Sequence, residues 1–169
     1  RHMQLRMQVQ RVMRWQRSQV RLPELLCCPV VVVRMLLRRR LVLQLAKQVG
    51  QQQLRVQLSP ESYRRELSWA RTFGFLASVE GLRRMGLIQG GSLANAVVFG
   101  PDGVMNPEGL RSPDEPIRHK VMDMVGDLAL IGHPIQGIFE ASRPGHSLTR
   151  ELVTEVLRRE SSWRLIPTE

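Results

Sequence analysis

The chain has little of what marks a secreted, disulfide-stapled or membrane-spanning protein. Its only two cysteines in 169 residues, Cys27 and Cys28, are adjacent. Neighbours in sequence make a poor staple, so no disulfide framework is expected and a reducing, cytoplasmic setting is the default. The longest apolar run, Leu25 to Val33, is closed by Arg34. Crossing a bilayer as a helix takes about 20 apolar residues, so no transmembrane segment is expected. The basic residues ahead of that run slightly resemble a signal peptide. However, Arg38, Arg39 and Arg40 come soon after it and no small-residue cleavage site does. Acids are nearly absent from residues 1–58, which hold one, Glu24, against twelve lysines and arginines. Asp, Asn, Thr, Ile, Phe and Tyr are missing there altogether. The other thirteen bases face fourteen acids, so the net charge of +10 belongs to one segment.

That segment, residues 1–50, is rich in Arg, Gln, Val, Leu and Met and keeps neither a two-residue nor a 3.6-residue period. Three readings stand beside one another. It is a basic, partly helical tail touching RNA, acidic lipid or a partner. It is a solvated, poorly ordered extension rather than an independent domain. Or it is a stretch selection has not shaped, as translation of a GC-rich gene out of frame would give.

Gly50 and the glutamines after it mark a boundary, and residues 51–169 read as one domain. Leu54, Val56 and Leu58 alternate with Arg55 and Gln57, which predicts a half-buried strand. Ser59-Pro60 reads as an N-cap and first helical residue of a helix to about Ala70. A helix over Leu76–Met85 ends at Gly86, and a strand covers Ala94–Phe99. Pro101-Asp102-Gly103 turns into Val104-Met105. A helix over Asp114–Leu130 carries an apolar stripe of Ile117, Val121, Met124, Val125 and Leu128. Ile135–Ala141 reads as a strand. Ser147–Arg159 reads as a helix with Leu148, Leu152, Val156 and Leu157 apolar. Strands and helices mix without a βαβ rhythm. The expected class is therefore α+β, a two-layer sandwich of a small mixed sheet packed on helices.

Chemistry concentrates in Glu115 to Leu128. His119, Asp123 and Asp127 recur every fourth residue, which stacks an imidazole and two carboxylates on one helix face. Such a face is either solvated and incidental or able to chelate a divalent cation. Lys120 adjoins it and could steady an oxyanion. His146 follows Gly145 at a predicted helix start, where backbone donors favour developing negative charge. Two ligands are fewer than the three a catalytic zinc usually takes from protein. His133, outside the series, reads as a surface or structural residue, and His2 as a frayed-end residue. Thr72, alone, reads as helix-terminal packing among aromatics.

Several separated motifs then agree. Arg71-Thr72-Phe73-Gly74-Phe75, Gly90-Gly91-Ser92-Leu93, Asn106 to Arg111, His119-Lys120 with Asp123, Gly126-Asp127-Leu128 and Gly145-His146 occur in order. Over about residues 52–169 the chain resembles UDP-3-O-acyl-N-acetylglucosamine deacetylase, the zinc amidase family of bacterial lipid A synthesis. The resemblance is to the second of that family's two similar α+β domains, between which the active site lies.

The resemblance implies hydrolysis of the N-acetyl group of UDP-3-O-acyl-N-acetylglucosamine, with zinc held by His119 and Asp123. It implies His146 as general acid, Asp127 as its hydrogen-bond partner, and Lys120 and Thr72 as substrate or oxyanion contacts. Phe73, Gly91 and Ser92 fall at substrate-binding positions, with Phe75 to Gly91 as the insert forming an acyl-chain passage. Leu76, Val79, Leu82 and Leu87 then face either a lipid tail or ordinary core.

The chain also departs from the family pattern. A third ligand and the general base come, in the family, from a Glu-His pair in the first domain, and this sequence contains no Glu-His pair. Ala94 stands for a common Asp, Ser112 and Pro116 for aromatics, and Thr149 for a usual Asn. A truncated or incomplete copy with low activity alone is expected, partnered by the substrate and by any separately supplied first domain, with no nucleic acid. The alternative is a non-catalytic binding protein whose basic segment contacts nucleic acid or anionic lipid.

Overall fold

The computed structural model describes residues 3–6, 31–37, 49–133, 135–136, 138–142 and 144–167. Cys27, Cys28, His2 and most of the basic segment lie outside the described residues, and with them the readings of that segment as tail, extension or unselected sequence. Nine strands are described. β1 (Met3–Arg6), β2 (Val31–Leu37) and β3 (Gln52–Leu58) come first. Gly50, at φ +69°, precedes β3 in the left-handed region that glycine adopts readily. β3 alternates as its sequence does, with Val56 buried and Arg55 and Gln57 exposed.

Ser59 caps the following helix, α1 (Pro60–Ser62). Its hydroxyl accepts from the Ser62 amide at 3.0 Å, while Ser62 Oγ accepts from the Ser59 amide at 2.8 Å. The chain then widens into a π turn over Tyr63–Leu67, closed by the Ser68 amide on the Tyr63 carbonyl at 2.9 Å. The regular helix expected to about Ala70 thus gives way early. The turn drives Leu67 wholly inside and delivers Ala70 to the start of β4 (Thr72–Phe75). α2 (Leu76–Arg84) follows and stops where Gly86 turns left-handed at φ +74°. β5 (Ala96–Gly100) starts two residues later than expected, because the Asn95 side chain bonds the Ser92 amide and the Gly90 carbonyl and holds a turn. β6 (Gly103–Val104) returns against it.

α3 (Glu115–Leu128) and α4 (His146–Arg158) cover the core. Ile117, Val121, Met124 and Leu128 are buried as the stripe requires, and Val125 packs against them. In α4 the inward positions are Thr149, Val153 and Val156. Leu157, expected inside, is 44% exposed because it lies one step around the helix from Val156. The apolar segment 135–141 is divided rather than one strand: β7 (Ile135–Gln136) and β8 (Ile138–Ser142) join different sheets. β9 (Arg164–Pro167) is last.

The expected α+β class holds, with small mixed sheets and helices. β2 is the middle strand of one sheet, antiparallel to β3 (Val33 opposite Val56) and parallel to β8 (Val33 opposite Phe139). A partly helical tail was one reading of the segment that holds β2, and no strand was expected there. Residues 31–37 are apolar but for Arg34 and do not alternate, so periodicity is silent there. β5 is the middle of the second sheet, parallel to β4 and antiparallel to β6. β1 runs between β7 and β9 in the third. Val56, Leu67, Phe139, Val153 and the α3 stripe form one cluster beneath α3 and α4. No helix among the described residues is long and apolar enough to cross a membrane.

Ile117 has no solvent exposure and sits in the first turns of α3. Ile117→Ala is expected to lower stability by about 2–5 kcal/mol. Urea unfolding should show the midpoint falling with an unchanged slope.

Candidate metal centre

α3 presents His119, Asp123 and Asp127 on the face opposite its buried stripe, as the four-residue spacing requires. His119 Nδ1 lies 3.2 Å from the Ala70 carbonyl. A carbonyl only accepts, so Nδ1 carries the proton in that contact. The other nitrogen, Nε2, lies 3.2 Å from Asp123 Oδ1. Ligands on a tetrahedral cation at about 2.0–2.1 Å stand about 3.3 Å apart, so the two atoms have the bite of a chelate. The donor set fits a divalent cation, with the ring orientation fixed from behind by a backbone carbonyl.

Asp123 Oδ2 accepts from Lys120 Nζ at 2.8 Å. Burial pushes the Asp123 carboxyl up, but hydrogen bonds from His119 and Lys120, with their charges, outweigh it and hold it at about 2. His146, the first residue of α4, crosses to the same face. Its Nδ1 is 3.0 Å from both Asp127 oxygens, and its Nε2 is 3.9 Å from Asp123 Oδ2. The His146 side chain is 57% exposed, whereas that of His119 is 12%. The cluster therefore opens to solvent on the His146 side. His133, off the series, is exposed. Among the described residues, no group of three or more His, Cys, Asp or Glu could hold a metal ion.

The remaining site candidates gather on β4. Phe73 meets the His119 ring edge to face at 6.4 Å, and Lys120 Nζ lies 5.7 Å from the Phe73 ring centroid. Phe73 also lines a cavity of about 340 Å³ shared with Thr72, Gly91 and Ser92. Leu76, Val79 and Leu82 line it as well, so these apolar positions face a cavity rather than the core cluster. Ile88, not Leu87, completes that wall, and Leu87 is half-exposed. Phe73 links the cavity to the polar cluster, whose own residues are not in its lining.

A framework outside the predicted site residues lies beneath both. Glu115 is fully buried and accepts from the Arg71 amide (3.0 Å), Arg71 Nε (2.9 Å) and the Arg111 amide (2.7 Å). Arg71 also bonds the Gly109 carbonyl at 2.8 Å and pairs with Glu108. Buried Asn106 accepts from the Val98 amide and donates to the Leu93 and Ala96 carbonyls. Burial pushes Glu115 up, and its hydrogen bonds to Arg71 and Arg111 more than reverse this, leaving it below its ordinary value. The available signal was position: Glu115 lies one turn before His119, extending the 119–123–127 series backwards.

Comparison with known proteins is consistent with these features. The family model for UDP-3-O-acyl N-acetylglycosamine deacetylase matches residues 28–158. The UDP-3-O-acyl-N-acetylglucosamine deacetylase of Citrifermentans bemidjiense is 52% identical over 111 residues, 66% of this chain and 36% of the relative. That of Syntrophotalea carbinolica is 44% identical over 118 residues, 70% of this chain and 38% of the relative. That of Phenylobacterium zucineum is 47% identical over 117 residues, 69% and 40%. The chain thus spans well under half the length of the curated relatives it matches.

A depressed aspartate stabilises the fold above its unfolded pKa, and that contribution is lost as pH falls through the folded one. For Asp123 these are 3.8 and about 2. In metal-free protein, urea midpoints should show the native chain more stable than Asp123→Asn at about pH 5, above both values. The margin should close between the two pKa values; one that widened on acidification would contradict the geometry.

Proposed function

The chain belongs to the UDP-3-O-acyl N-acetylglycosamine deacetylase family, and on that footing we propose that it carries one half of a zinc-dependent site that hydrolyses the N-acetyl group of UDP-3-O-acyl-N-acetylglucosamine, in the cytoplasm and towards lipid A. One observation supports this most. His119 Nε2 and Asp123 Oδ1 stand at chelating separation, with the His146 imidazole 3.9 Å from the same carboxylate.

His119 and Asp123 would hold the ion. Bound there, zinc supplies a Lewis acid for the amide carbonyl and lowers the pKa of a water molecule. The chain's own residues do the rest. Asp127 accepts from His146 Nδ1 and so turns Nε2 outward, where it can give a proton to the amine nitrogen as its bond to the acetyl carbon breaks. Lys120 places a positive charge beside the carbon that becomes tetrahedral, and Thr72 offers a hydroxyl to the same oxyanion. Phe73 orients the His119 ring from one side and closes the apolar cavity from the other. Gly91 and Ser92, at the far wall, contact the substrate's acyl portion.

Water addition also needs a base, and the family resemblance assigns that role to a Glu-His pair. No such dipeptide occurs in these 169 residues. The proposal is therefore a half-site that needs a first domain to supply the base and a third ligand. Composition supports a domain over 51–169, and the pairing of β2 between β3 and β8 supports a start before Val31.

The full chain is expected to bind zinc weakly, and His119→Ala to weaken that binding at least tenfold in competition with a chromophoric chelator. Acetate release from the substrate by this polypeptide alone should fall short of an ordinary deacetylase by about 10²–10⁴-fold, the contribution of one acid–base group. Zinc-dependent turnover at ordinary rates would overturn the half-site reading.

A further inference from the structure

Glu115 does more than neutralise Arg71. The Ala70 carbonyl and the Arg71 amide are two ends of one peptide group. The carbonyl faces His119 Nδ1 at 3.2 Å, and the amide donates to Glu115 Oε1 at 3.0 Å. Glu115 and His119 are themselves one turn apart on α3. A closed ring results: carboxylate, peptide group, imidazole and one turn of helix.

The geometry points to Glu115 as a positioning residue that acts on His119 through the Ala70–Arg71 peptide, an inference resting on the proposed metal role of His119. Two physical effects carry it. The peptide cannot swing, because Glu115 also grips the Arg71 side chain at Nε (2.9 Å) and Nη2 (3.2 Å). A carboxylate on the N–H end also polarises the peptide and strengthens its carbonyl as an acceptor. A stronger, fixed acceptor holds the proton on Nδ1 and leaves Nε2, 3.2 Å from Asp123 Oδ1, as the nitrogen that gives up its proton when a metal binds. Partners of this kind fix the tautomer of metal-ligating histidines and raise their basicity.

Glu108 supplies the contrast. It also pairs with the Arg71 guanidinium, but from a side chain that is 53% exposed and through Nη1. A residue that mattered only for the charge of Arg71 would share its behaviour with Glu108. A residue that acts through the peptide would not.

The test uses the full chain, with zinc alone as ligand. Affinity is read by chelator competition, and the ring nitrogens of His119 by ¹⁵N NMR on metal-free protein. Glu115→Gln is expected to weaken zinc binding on the order of tenfold and to shift His119 away from the Nδ1-protonated form. Glu108→Gln should leave both readouts at the native value. If Glu115→Gln does not fold, Arg71→Leu combined with Glu115→Met replaces it, since apolar replacement of a whole buried ion pair is commonly tolerated. The same loss of affinity and the same ring shift are expected there. Native ring signals and native zinc affinity in either folded variant would overturn the inference, as would an unprotonated Nδ1 in the native chain. A native chain that binds zinc no better than its His119→Ala variant would instead sink the metal reading, and the ring-nitrogen comparison would still decide the role of Glu115.

Discussion

A carboxylate sealed from solvent must have its charge answered, and the answer given to Glu115 organises the rest of the domain. A buried, unpaired charge is far too costly to keep, so the fold supplies an arginine and two backbone amides in its place. Those donors come from Arg71, ahead of β4, and Arg111, ahead of α3. Satisfying one carboxyl group thereby ties the sheet that carries Phe73 to the helix that carries His119. Asn106 does the same for the loop between them through three backbone contacts. The motifs that fall outside the polar cluster are its mounting.

The parts legible from sequence are those a local pattern records. The α3 stripe, the Ser59 cap and the Gly86 stop each depend on residues within a turn or two. So does the alignment of His119, Asp123 and Asp127. Partners far apart in the chain leave no such record. Arg71 and Glu115 are separated by 44 positions, and an acid in a helix's first turn already has a local explanation in the helix dipole. Nothing in its neighbourhood signals burial. The place of His146 against Asp127 was available only through the family resemblance, because it depends on how α4 docks on α3. The π turn after Ser62, the division of 135–141 and the middle position of β2 failed for a related reason. Each is decided by which neighbour is present, not by the residues' own period.

The polar cluster and the apolar cavity meet at Phe73, and that meeting constrains any substrate they share. One face of the residue contacts the His119 ring, while the cavity lies on β4, α2 and β5. A molecule reaching both must be amphipathic, with a reacting polar group within a side chain's breadth of a long apolar portion. The substrate of the proposed reaction, a sugar nucleotide bearing an acyl chain, has both parts.

If the chain binds zinc as proposed, binding and folding are separable, and the reason is geometric. In a small zinc domain the ion closes the core, so folding and binding are one event. In this chain the proposed ligands stand clear of the buried stripe of α3, which packs without them. Lys120 further supplies a resident positive charge to Asp123 at 2.8 Å, so the carboxylate has a partner of its own. The same lysine takes Oδ2 and leaves Oδ1 turned toward the His119 imidazole. A site built this way is preorganised by its scaffold and owes the ion nothing for its shape. What it lacks is enclosure, because the His146 side lies open to solvent. On the proposed reading, water on that side would screen the charges that stabilise an oxyanion, and a second surface docked over α3 and the start of α4 would exclude it.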